Sequence, residues 1–188
     1  MAVHVKASIQ RRLRAVLILG LLTVAAAASA RAAEFKVDGI AIDVPAKFDG
    51  PVTAQPDAQA KTYAFTIPAT NLLSPSTVLQ ITAYSAPADV QAGHSADVSQ
   101  RYLSQMLEGI ERRRTDYQES APKEVRLAGF PGSVASWQGK ANGIGTNGKM
   151  FCIVTKSELL FFHVMGGGSV PSADMAAAIK AVENARKY

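Results

Sequence analysis

The sequence predicts an α+β domain: a mostly antiparallel central sheet of about six to seven strands, flanked by helices. Three observations predict it. Alternating apolar stretches of strand length lie on both sides of a segment with helical period. The links between those stretches are rich in turn formers, and the hairpin-like ones imply a mostly antiparallel sheet. A second helical segment comes last, so the order reads β-β-β-α-β-β-β-β-α.

Each element has its own signature. Gly39 to Val44 (GIAIDV) alternates and stops at Pro45, Lys61 to Ile67 (KTYAFTI) stops at Pro68, and Thr77 to Ala83 (TVLQITA) ends near Pro87. The period then changes. Val98, Tyr102, Leu103, Met106, Leu107 and Ile110 fall on one face of a helix expected from about Ala96 to Tyr117. Ser95 and Asp97 offer N-capping oxygens, and Arg112, Arg113 and Arg114 suit the negative end of the helix. Four strand-like stretches follow: Lys123 to Leu127, Ser133 to Lys140, Lys149 to Lys156 and Glu158 to Met165. The last two are nearly continuous apolar runs, as expected of strands covered on both faces. Asn142 to Gly148 (NGIGTNG) is expected as a hairpin loop. Gly166-Gly-Gly168 ends the last strand, and Ser169 or Ser172 caps a final helix to about Arg186, with Met175, Ile179 and Val182 on its buried face.

Ahead of this domain the chain reads as an export signal. Lys6, Arg11, Arg12 and Arg14 precede Ala15 to Ala28, a stretch of fourteen residues without a charge. Small residues follow, and A-x-A patterns place cleavage before Arg31 or Ala33. The uncharged stretch falls short of the roughly 20 residues that span a bilayer. Residues 1–32 are thus expected to be a cleaved signal peptide and residues 33–188 a single domain, periplasmic or secreted by the general route, with no stable membrane insertion. The net charge of +5, from 20 Lys and Arg against 15 Asp and Glu, belongs to the leader. Five basic residues and no acid precede Ala33, so the domain is neutral. The high net charge therefore does not argue for nucleic acid, which would need a basic stripe on the folded domain, and no nucleic-acid partner is expected. Cys152 is the only cysteine, which excludes an internal disulfide and a thiolate metal cluster. Its apolar neighbours imply burial.

The ordered set of elements carries a resemblance. It comprises a strand ending in proline (Gly39-Ile-Ala-Ile-Asp-Val-Pro45), a long amphipathic helix after three strands, Leu127-Ala-Gly129-Phe-Pro-Gly132 leading to a strand with Trp137, a glycine-containing hairpin leading to Met150-Phe-Cys-Ile-Val-Thr155, then Leu159-Leu-Phe-Phe-His163 and a closing helix. Across nearly the whole domain this resembles the Mog1/PsbP-like fold, in particular its bacterial exported members of unknown function. The resemblance implies an α/β/α sandwich and a non-catalytic binding, assembly or chaperone-like module. It implies no shared active site and transfers no partner.

Several motifs bear on chemistry. Gly143-Ile-Gly145-Thr-Asn-Gly148 has the letters of a dinucleotide fingerprint, but Lys149 begins a strand where that fingerprint needs a helix. Gly166-Gly-Gly-Ser169 lies between a strand and a helix, so Gly167 and Ser169 are candidates for holding an anion or a ligand. A plain strand-to-helix bend is the alternative. His163 shares a face with Phe161 and Met165, as a core or pocket histidine would. Trp137 either walls a pocket or packs under a helix. His94 with Asp97 is the one local pairing with metal-ligand spacing, and it falls short of a zinc set. Cys152 could approach His163 across adjacent strands, but apolar surroundings raise a thiol pKa rather than activate it. The sequence therefore points to a non-enzymatic module with no cofactor and no metal, acting on another envelope protein. Candidate binding residues are Trp137, His163, Gly167 and Ser169. A small-ligand or metal-binding protein and an enzyme without a recognisable motif are the alternatives.

Overall fold

The computed structural model describes residues 32–70, 76–86 and 96–188. The expected leader apart from Ala32, together with Pro87, His94 and Ser95, lies outside the described residues.

An eight-stranded antiparallel sheet forms the body. It comprises β3 (Asp49–Asp57), β4 (Ala60–Ile67), β5 (Thr77–Ser85), β6 (Thr115–Glu119), β7 (Lys123–Leu127), β8 (Phe130–Ala141), β9 (Ile144–Val154) and β10 (Glu158–Gly167). The order across it is β3-β4-β5-β10-β9-β8-β6, with β7 paired to the other half of β8. A smaller three-stranded sheet joins β1 (Ala33–Val37), β2 (Ile40–Val44) and β11 (Arg186–Lys187) in the order β1-β2-β11. Two helices complete the described chain, α1 (Ala96–Glu111) and α2 (Ala173–Glu183).

Strand alternation divides the apolar residues between two cores. On one face, Phe151, Ile153, Leu160, Phe162 and Val164 pack with Ile40, Ile42 and Val44 of β2 and with Met175, Ala178 and Val182 of α2. On the other, Met150, Cys152, Val154, Leu159 and Phe161 pack beneath Leu103 and Leu107 of α1. The two strands expected to be covered on both faces, β9 and β10, are so covered. The helices lie on opposite faces, which makes the α/β/α arrangement.

The differences from expectation have local causes. Helix α1 stops at Glu111, short of Tyr117, because Tyr117 is drawn into β6, where its ring stacks on Trp137 of β8. Arg114 still serves the helix end: its guanidinium donates to the Ile110 carbonyl at 3.3 Å. The loop expected over residues 142–148 shrinks to Asn142 and Gly143, both with positive φ (51° and 78°). Such a two-residue turn matches the twist of the flanking strands and sets their register. Ser172, not Ser169, caps α2, accepting from the Met175 N–H at 3.1 Å. Strands β1, β3, β6 and β11 are additional to those expected.

Candidate functional site

The sheet places Trp137 and His163 two strands apart on the α1 face. Gly148, opposite Trp137 on the intervening β9, carries no side chain, so the indole lies over it and reaches β10. Trp137 Nε1 donates to His163 Nε2 at 3.1 Å, and both residues are buried. Above the indole sit the Arg114 guanidinium, 4.2 Å from the ring centroid, and the stacked Tyr117. Burial, with Arg114 adding to it, pushes the His163 pKa down to about 3, so the imidazole is neutral. With Nε2 accepting, the remaining proton sits on Nδ1. Two of the candidate residues thus form one unit, which is a packed core element.

Cys152 lies opposite Phe161, while His163 lies opposite Met150, so the strands hold thiol and imidazole out of register. Burial pushes the Cys152 thiol well above its ordinary range. The native protein should therefore resist Ellman's reagent and release one thiol on denaturation. Rapid labelling of the folded protein would contradict this placement.

The concave feature lies on the opposite face, between the β6–β8–β9 end of the sheet and α2. It is a groove of about 590 Å³ with a floor that includes Gln118, Gln138, Asn147 and Lys149, walled by Pro171, Met175 and Ile179. A smaller hollow of about 300 Å³ adjoins it, sharing Gln118, Gln138 and Ser169. Ser169 is thus a lining residue, and Trp137 also borders the groove. Gly167 is an ordinary strand residue paired with Thr146. The glycine run does not form an anion nest: Gly168 turns the chain at φ 95°, and its N–H is taken by the Gly145 carbonyl at 2.8 Å.

Polar commitments around the groove are unequal. Gln138 Nε2 donates to Gln118 Oε1 at 2.8 Å, and Lys149 Nζ meets Glu183 at 2.7 Å. Asn147 Nδ2 donates to the Gly168 carbonyl at 2.9 Å. Among the described residues, Asn147 Oδ1 is the one fully buried side-chain nitrogen or oxygen with no hydrogen-bond partner. A buried acceptor left unmatched costs about 1–3 kcal/mol. Among the same residues there is no group of three or more His, Cys, Asp or Glu placed to hold a metal, and no helix is long and apolar enough to cross a membrane. His94 of the His94–Asp97 pairing lies outside them.

Sequence reasoning missed Gln118, Gln138 and Asn147. The available signal was the Asn142–Gly143 turn. Read as a two-residue hairpin, it pairs Gln138 with Asn147 directly.

No family model matches the chain, and no curated protein matches it. Solved structures do. The solution structure of cyanobacterial PsbP from Synechocystis sp. PCC 6803 is similar at 11% identity, covering 89% of this chain and 99% of that one, with a TM-score of 0.57. LpqN, involved in cell envelope biogenesis of Mycobacterium tuberculosis, aligns at 14% identity over 78% of this chain and 82% of its own, with a TM-score of 0.49. At such identities the likeness is one of fold. The chain has the Mog1/PsbP-like α+β fold, shared with cyanobacterial PsbP.

Proposed function

We propose that the domain is an exported, non-catalytic binding module that holds part of another envelope protein, or a ligand delivered to it, in the groove beside α2. The observation that carries this reading is a concavity of about 590 Å³ with a buried, unmatched acceptor in its lining. Its volume lies within the range of ligand sites, and an apolar wall of Pro171, Met175 and Ile179 faces a predominantly polar floor. The two groups with catalytic potential support a non-enzymatic reading. Cys152 is buried with a raised pKa, and His163 gives its acceptor nitrogen to Trp137. The N-terminal charge, apolar and small-residue pattern supports export.

The test is site-specific photocrosslinking in the native host. A benzophenone residue is placed at Gln138, exposed on the groove floor, or at Arg101, exposed on α1 across the sheet. The protein should be recovered from the envelope fraction with its first residue at Arg31 or Ala33. Gln138 should yield one discrete adduct that Arg101 does not. Equal background from both positions would remove the groove from consideration.

A further inference from the structure

The β8–β9 hairpin carries one reactive dipeptide twice, in opposite states. Asparagine followed by glycine occurs at Asn142–Gly143 and at Asn147–Gly148, and nowhere else in the chain. Glycine has no Cβ to screen its backbone nitrogen. That nitrogen is therefore the main-chain nucleophile best able to reach the side-chain amide carbon of the residue before it.

Asn142–Gly143 is open to this attack. Both residues are exposed and form the two-residue turn, with φ of 51° and 78°. The ladder closes on Ala141 paired with Ile144, so the hairpin's hydrogen bonds fall on the flanking residues and not on the Gly143 N–H. A Cβ added to Gly143 would meet no atom within 4 Å. Among the described residues, no hydrogen bond holds the Asn142 side chain.

Asn147–Gly148 is closed to it. Asn147 is 5% exposed, and its Nδ2 is held by the Gly168 carbonyl at 2.9 Å. Gly148 is paired on both sides, with Trp137 and with Met165, and the indole lies over it. Asp38–Gly39 makes a comparable turn, with φ of 40° and 79°, but the Asp38 carboxylate accepts from the Thr155 and Ser157 hydroxyls and is held in place.

We propose that Asn142 is a site of spontaneous deamidation, and that the folded domain ages at the β8–β9 turn while Asn147 is spared. The Gly143 nitrogen loses its proton to water and bonds to Asn142 Cγ. The Cγ–Nδ2 bond breaks, ammonia leaves, and a five-membered succinimide remains. Water then opens the ring. Cleavage between Cγ and the Gly143 nitrogen gives aspartate, and cleavage between the Asn142 carbonyl carbon and that nitrogen gives isoaspartate. The sum is amide plus water to carboxylate plus ammonium, with no oxidation or reduction. Aspartate leaves the turn as it was, because Asp-Gly suits the same turn as Asn-Gly. Isoaspartate routes the main chain through the side chain and adds one methylene to a turn whose length sets the register of Gln138 with Asn147.

The experiment incubates the purified protein at mildly alkaline pH and maps it by mass spectrometry. Trypsin releases residues 141–149 as one peptide that holds both dipeptides. Digestion in water enriched in oxygen-18 marks any deamidation that occurs during the digest. Deamidation makes the peptide heavier by about 1 Da, an amide nitrogen exchanged for an acid oxygen, and fragmentation locates the change. In the folded protein Asn142 should convert at least about tenfold faster than Asn147, which reacts only when that part of the sheet opens. In urea the two rates should converge. Equal rates in the folded protein overturn the proposal. So does conversion in urea with none at Asn142 in the folded protein. The isoaspartate form, separated by ion exchange, should melt below the Asn142→Asp variant, which should match wild type. Identical melting of the two overturns the consequence drawn for the turn.

Discussion

Gly148→Val should destabilise the domain by about 3 kcal/mol, the upper part of the usual range for overpacking a core. A Cβ at this position would lie 2.4–2.5 Å from Cε2, Cζ2 and Nε1 of Trp137, closer than any real contact. The indole has no free direction of retreat. Arg114 and Tyr117 occupy its outer side, and moving it breaks the hydrogen bond to His163. Urea unfolding followed by far-ultraviolet circular dichroism gives the midpoint for each variant, including one that lacks Trp137, the only tryptophan. A second variant adding Trp137→Leu should recover part of the loss, because the clash goes with the ring. A midpoint unchanged by valine would mean that the ring does not cover Gly148.

The second large effect is acid lability traceable to one residue. The His163 pKa is pushed down to about 3 in the fold, chiefly by burial, from about 6.5 when exposed. Below 6.5 the unfolded chain gains a proton that the folded one refuses. The stability associated with neutral His163 is thus complete above that pH and is lost progressively down to about 3. At pH 4 the loss is roughly 3 kcal/mol. Glu34 and Asp43, whose pKa values are lowered by Lys36 and Arg186 and by Arg186 respectively, lose stability in the same direction, so a single pH curve does not isolate the histidine. His163→Gln does isolate it, since its amide oxygen can accept from the indole N–H without titrating. The wild-type midpoint should fall more steeply than the variant's between pH 6.5 and 4. Parallel curves would place His163 in contact with water.

The elements legible in the sequence were those whose burial pattern is written in apolar side chains. Strands β9 and β10 and the face of α1 bearing Leu103 and Leu107 are of this kind. Strand β3 is the opposite case. Its nine residues, DGPVTAQPD, are all exposed, and its two prolines and terminal aspartates read as turn chemistry. It is an edge strand held by β4, so its sequence had no core to reflect. Strand β6 was hidden by charge and polarity next to a helix, and its place depends on a stack with a residue twenty positions away. The site divides in the same way. Trp137 and His163 stood out as rare residue types, yet their meeting depends on the bare backbone of Gly148. Gln118, Gln138 and Asn147 were illegible as a group because glutamine and asparagine carry no period. Only register makes them neighbours.

The small sheet has a consequence for the order in which this protein can be completed. β2 finds β11 only through pairing of Ala41 with Arg186 and Ile40 with Lys187, clasped by Arg186 to Asp43 across a separation of 143 residues. A chain emerging from the ribosome has β1 and β2 in hand long before that clasp exists, and one face of β2 waits for α2 throughout. Closure over such a separation carries a large entropic barrier and comes late. The contact that seals the domain is therefore absent until nearly the whole of the domain has been made, and the small sheet is a late seam and not a nucleus.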